Sequence, residues 1–244
     1  NDINGFHVTR THALEAMSAA RSGPVAEGAV GGGTGMVCNG FKGGIGTASR
    51  RFASGGQDYT LGVLVQCNYN WDGDDLRLGG QRVDHLLPVG EHCFTDRSIE
   101  RHNDWYPYCG ETGDRPASMA SRDGSIIVIV ATDAPLLPHQ LARVAKRPSL
   151  ALGRLGAVST AGSGDIFVAF STANGGRIDE SQFAEVSVFP NNALTTVFTA
   201  AVQATEEAIV NAMAAAETAI GASGFRVAEM PEEAVRAVFR QSDD

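Results

Sequence analysis

Between Tyr59 and Tyr69 the chain alternates, with Tyr59, Leu61, Val63, Val65, Cys67 and Tyr69 on one side and Thr60, Gly62, Leu64, Gln66 and Asn68 on the other. A period of two puts each set on one face of an extended segment, so the run predicts a half-buried strand. Ser125 to Thr132 is apolar almost throughout and predicts a core strand, and Ile166 to Phe170 alternates large side chains as a buried strand would. Helical spacing marks residues 9–20, where Leu14, Met17 and the alanines follow a threonine suited to an N-cap and Gly23-Pro24 stops the run. A second helix is expected from Pro138, whose ring fits a first helical position, to Lys146, with Pro148 ending it. The third begins near Asn191 and carries a stripe of Leu194, Val197, Phe198, Ala201, Ala208, Ile209 and Met213. Thr205 falls inside that stripe, and its bland partner is a carbonyl of its own helix.

The segments between are less regular. Gly28 to Gly46 reads as glycine-rich turns that either face a substrate or only pack closely, and Ser181 to Pro190 offers a short further strand. Residues 71–123 form a polar excursion containing Trp71 and Trp105. Strands and helices mix without strict alternation, which favours stacked layers over a doubly wound sheet.

A chain of 244 residues, 43% hydrophobic, can bury a large core as one domain. Its net charge of −9 supplies no basic stripe to displace counterions from phosphates, so no nucleic-acid partner is expected. The basic cluster Arg143, Lys146, Arg147 and Arg154 reads as a solvated helix face. No stretch approaches a membrane span, so no membrane partner is expected. Cys38, Cys67, Cys93 and Cys109 are irregularly spaced, and the expectation is reduced, structural thiols. His85, His92, Cys93, His102 and Cys109 crowd one stretch, but their spacing fits no standard zinc pattern. The glycines match neither a P-loop nor a GxGxxG fingerprint.

Candidate chemistry centres on Gly162-Ser163-Gly164-Asp165, just before the strand at Ile166. A hydroxyl at the mouth of a core strand suits a nucleophile, and the small Gly162 leaves the preceding peptide bond open to that hydroxyl. The same four residues also suit a tight turn with no chemistry.

Ordered blocks along the chain extend this reading: Asn1-Asp2-Ile3-Asn4-Gly5, Val30-Gly31-Gly32-Gly33-Thr34-Gly35, Lys42-Gly43-Gly44-Ile45-Gly46-Thr47-Ala48-Ser49-Arg50, Gly62-Val63-Leu64-Val65-Gln66, Ala131-Thr132-Asp133-Ala134-Pro135-Leu136 and Ser163-Gly164-Asp165-Ile166. Together they resemble the DmpA-type L-aminopeptidase / D-alanyl esterase-amidase family and the related β-peptidyl aminopeptidases. The resemblance implies an α+β fold, an αββα sandwich layered like N-terminal-nucleophile hydrolases but connected differently. It implies a single domain over residues 1–244 that lacks the family's N-terminal part, and self-cleavage between Gly162 and Ser163 into parts 1–162 and 163–244.

By the same resemblance, Ser163 is expected to be the nucleophile of a serine aminopeptidase acting on short peptides, amides or esters, without metal or organic cofactor. Its free α-amine would act as base. Tyr59 is matched to the oxyanion-binding tyrosine and Asn68 to the asparagine amide, with Asn1 and Asn4 as competitors. Thr205 and Glu207 stand where relatives have a serine and a glutamate, beside Glu206, and Asp165 is another possible holder of a substrate ammonium. A homo-oligomer, a tetramer of αβ units, and a cytoplasmic compartment complete the expectation. Two alternatives stay open: an acyltransferase of related fold, and an unprocessed binding protein without turnover.

Overall fold

The computed structural model describes residues 3–85, 92–98, 106–111, 124–175, 183, 185–221 and 224–240. In chain order the elements are α1 (Arg10–Ser18), β1 (Val37–Cys38), β2 (Phe41–Lys42), β3 (Ile45–Ser54), β4 (Gln57–Asn68), β5 (Arg77–Leu78), β6 (Gln81–Arg82) and β7 (Cys93–Phe94). They continue with β8 (Ser125–Thr132), α2 (Pro138–Val144), α3 (Pro148–Arg154), β9 (Ile166–Ser171), α4 (Leu194–Ala214), β10 (Ala219–Ile220), β11 (Phe225–Val227) and α5 (Glu232–Arg240).

The main sheet has the order β3-β4-β8-β9; β3, β4 and β8 are antiparallel neighbours, and β9 runs parallel to β8. A parallel return needs a crossover, and α2 and α3 provide it. The alternation in β4 sorts as its side chains demand. Leu61, Val63, Val65 and Cys67 are buried, as are Ile126, Val128 and Val130 of β8, all beneath the helices. Over that face lies α4, with Leu194, Val197, Ala201, Ala208, Ile209 and Met213 buried. Its alanines allow a close approach: a Cβ on Gly46 of β3 would collide with the Ala208 carbonyl. Burying each large aliphatic side chain here contributes about 1.5–3 kcal/mol.

The opposite face carries Ile127, Ile166, Val168 and Phe170, all exposed. Among the described residues, the strand expected to be buried at Ile166 to Phe170 is therefore an edge strand covered on one side only, because the helices lie on the other face. The mixed α+β class stands, and among the described residues one helical layer covers one main sheet. At a smaller sheet, β10-β11-β7, Tyr106 and Phe225 pack on the buried His92, and Phe94 packs on Phe225 and Tyr108.

Four further expectations are corrected. The cysteines are paired: Cys38–Cys67 and Cys93–Cys109 are disulfides, their partners brought together by folding across 29 and 16 residues of sequence. Pro148 does not only end a helix but occupies the first turn of α3, where its missing N–H has no cost. The basic cluster is not merely solvated: Arg143 and Arg147 stack on Phe198, and Arg154 pairs with Glu206, so three cations dock α2 and α3 onto α4. On α1 nothing among the described residues covers the apolar face, with Leu14 and Met17 exposed. Residues 185–190 form no strand; Ser181, His102, Trp105 and Asn1 lie outside the described residues.

Candidate active site

Strand register determines which residues meet at Ser163. Ile127 of β8 pairs with Ile166 of β9 and with Gln66 of β4. Continued three residues past these pairs, the same register puts Ser163, Gly124 and Tyr69 in one row across three strands. These three residues do line a common cleft, with Asn70, Thr160 and Asp165. Gly124 sits at φ +138°, and any Cβ there would strike the backbone of Asn68 and Tyr69, so the row closes only with glycine at its centre.

The serine is held by its neighbours' backbone. The turn before it is closed by the Ser163 N–H donating to the Thr160 carbonyl at 2.9 Å. After it, the Gly164 N–H donates to Ser125 Oγ at 2.9 Å, and Asp165 Oδ1 accepts from the Ile126 N–H at 3.1 Å. Asp165 Oδ2 also accepts from the Ser159 hydroxyl at 3.1 Å. Two anchors to the start of β8 thus fix a half-buried hydroxyl at the mouth of β9. Gly162, on the other side of the candidate bond, is exposed.

Tyr69 contributes a phenol that is almost fully buried, with Asn39 Nδ2 donating to its oxygen at 3.2 Å. Burial raises its pKa well above the ordinary tyrosine value; the Asn39 hydrogen bond works against that rise, and the Asp165 carboxylate adds to it. The group therefore stays protonated across the working range.

The remaining sequence-derived candidates lie elsewhere. Tyr59 stands at the opposite end of β4, seven positions before Gln66, or roughly 23 Å along the strand. Its hydroxyl donates to Gln57 Oε1, and its ring packs against Phe52 and Phe189. Asn68 neighbours the row, but its Oδ1 accepts from the Val37 N–H at 3.0 Å and holds β1 in place. Thr205 is fully buried and donates to the Ala201 carbonyl of its own helix at 2.7 Å. Glu206 pairs with Arg154 and Glu207 with Arg50, both as links between elements. Asn4 is exposed in a short helical turn.

Tyr69 was not singled out in the sequence, although it belongs to the same alternating set as Tyr59. Pattern alone cannot say which end of β4 meets Ser163; that depends on the pairing of β8 with β9. Among the described residues there is no cluster of His, Cys, Asp or Glu able to hold a metal ion.

Comparison with known proteins identifies the family. The model of peptidase family S58 matches residues 1–227. The β-peptidyl aminopeptidase BapA of Sphingosinicella microcystinivorans is 48% identical over 250 aligned positions, covering 99% of this chain and 58% of its own length. The solved L-aminopeptidase D-Ala-esterase/amidase of Ochrobactrum anthropi, described as a variant of the Ntn hydrolase fold, superposes with a TM-score of 0.80 at 42% identity, covering all of this chain and 60% of that one. A β-aminopeptidase from a Burkholderia species gives a TM-score of 0.75 at 40% identity, with 99% and 61% covered. The chain thus spans about three fifths of the length of the relatives it matches.

Proposed function

The chain belongs to peptidase family S58, and from that premise we propose that it is part of a self-processing serine aminopeptidase that releases N-terminal residues from short peptides, amides or esters. The row of Tyr69, Gly124 and Ser163 at the cleft carries the reading. It offers a nucleophile and a neutral phenol able to donate at one cleft, as acyl transfer requires.

In processing, Ser163 Oγ attacks the Gly162 carbonyl carbon. The C–O bond forms, the C–N bond breaks, and the freed nitrogen takes the hydroxyl proton. Water then hydrolyses the ester, returning the hydroxyl to Ser163 and leaving a carboxylate on Gly162. In turnover the new α-amine, whose ordinary pKa is about 7.7–8.0, accepts the hydroxyl proton as Oγ attacks the substrate carbonyl. The Tyr69 phenol donates to the oxygen that becomes negative. The departing amine leaves an acyl-Ser163, which water cleaves.

The substrates of the relatives make β-amino-acid peptides the first compounds to assay. A homo-oligomer of αβ units is part of the proposal. For the compartment, two disulfides weigh toward an oxidising environment rather than the cytoplasm. No helix among the described residues is long and apolar enough to cross a membrane.

The test is the intact mass of the denatured protein. We expect two chains, one beginning at Ser163, and Ser163→Ala should give one unbroken chain without aminopeptidase activity. A wild-type protein that stays unbroken on incubation overturns the reading and leaves the binding-protein alternative.

A further inference from the structure

A hydroxyl can donate only one proton, so its usefulness to a reaction depends on where that proton points. At Tyr69 the direction follows from the chain of amides behind it. The main-chain carbonyl of Asp74 can only accept, and Asn70 Nδ2 lies 3.1 Å from it. The same Nδ2 lies 3.1 Å from Asn39 Oδ1. With the Asn70 amide oriented by a carbonyl, Asn39 must turn its oxygen toward Asn70 and its nitrogen toward Tyr69. Asn39 Nδ2, which only donates, stands 3.2 Å from Tyr69 Oη. The phenol oxygen therefore accepts on this side, and its own proton must go to another acceptor.

The backbone locks the arrangement. Asn39 has φ +50°, a left-handed conformation that asparagine tolerates better than most side chains. Its N–H donates to the Tyr69 carbonyl at 2.9 Å, so Asn39 grips Tyr69 at both main chain and side chain. The buried Cys38–Cys67 disulfide joins the flanking residues.

We infer that Asn39 is a positioning residue for the reaction: its amide, oriented by Asn70 and the Asp74 carbonyl, makes the Tyr69 oxygen an acceptor and so commits the phenol proton to the cleft beside Ser163. The inference rests on the proposed role of Tyr69 as oxyanion donor. It assigns the Asn39–Asn70 pair a task beyond packing, because a near-isosteric side chain that accepts instead of donating would fill the same space and draw the proton away.

The experiment is a double-mutant cycle in the full-length processed protein, using Asn39→Asp, Tyr69→Phe and the double variant with a β-peptide or amide substrate. Asn39→Asp is expected to lower kcat at least tenfold with KM within about twofold, and the double variant is expected to be no slower than Tyr69→Phe alone. Losses that multiply in the double variant, or an Asn39→Asp enzyme with kcat near wild type while Tyr69→Phe is slow, overturn the role of Asn39 and leave that of Tyr69 standing. A Tyr69→Phe enzyme with undiminished kcat removes the parent reading and this one with it. If Asn39→Asp does not fold, Asn39→Ala takes its place in the cycle under the same criterion of coupling to Tyr69 in kcat.

Discussion

The two ends of β4 present the same residue type on the same face of one strand and put it to different uses. Tyr59 belongs to an aromatic cluster with Phe52 and Phe189, its ring 5.6 Å from that of Phe189 at a steep angle, and its hydroxyl is satisfied two residues away on Gln57. Tyr69 lies among amides, with Asn39 on its oxygen, Asn70 behind Asn39, and a disulfide joining Cys38 to Cys67. The first end gains from area and ring geometry, which are insensitive to where a proton points. The second is polar, buried and fully directional, so each of its groups needs a designated partner. In the proposed function one strand thus carries a packing end and a chemical end, distinguished by the register that brings β9 to the latter.

The largest expected contrast is between the two phenols. Tyr69→Phe should lower kcat about 10²–10³-fold, as loss of an oxyanion donor does. Tyr59→Phe should leave kcat within about twofold; steady-state kinetics of both variants decide which end does the chemistry. The second contrast reverses the roles. Phe189, 1% exposed, is expected to cost about 3–5 kcal/mol when cut to alanine, read from urea unfolding, while kcat per folded molecule is unchanged.

The smallest contrast concerns the ground on which the chemical end stands. Beyond Tyr69, the ring of Trp71 faces that of His92 at 6.5 Å. Burial, with a smaller contribution from Arg226, lowers the His92 pKa from 6.5 to about 4. Below pH 6.5 the unfolded chain binds a proton that the folded chain refuses, so this contribution is complete above pH 6.5 and is lost as pH falls toward 4. The slope is at most about 1.4 kcal/mol per pH unit. Acid unfolding curves of His92→Phe should be flatter than wild type across that window, and parallel curves would contradict the assignment.

Alternation foretold β4 and β9, a continuous apolar run β8 and helical spacing α4, because burial is a local demand that each segment answers with its own side chains. What stayed hidden in the sequence was relational. The pairing of Cys38 with Cys67, and the meeting of Tyr69, not Tyr59, with Ser163, are set by pairings between segments far apart in the chain. Thr205 looks like chemistry in sequence because a polar group in an apolar stripe asks for a partner, and Thr205 with Glu207, beside Glu206, because of the resemblance. The structure supplies those partners from the Ala201 carbonyl of the same helix and from Arg154 of α3 and Arg50 of β3.

The parallel pairing of β9 with β8 has a consequence for the life history of the molecule. If the bond before Ser163 is cut as proposed, β9 and α4 would belong to one polypeptide and β3, β4 and β8 to another, yet six residue pairs of the sheet and the packing of α4 on β3 and β4 would cross the divide. The border between the two products is a hydrophobic core cut in half, the kind found in obligate complexes rather than in partners that meet and part. Fragments made separately would each present half an interior to solvent. In the proposed processing, the uncut precursor would act as its own assembly template, and the scission would record that folding is finished.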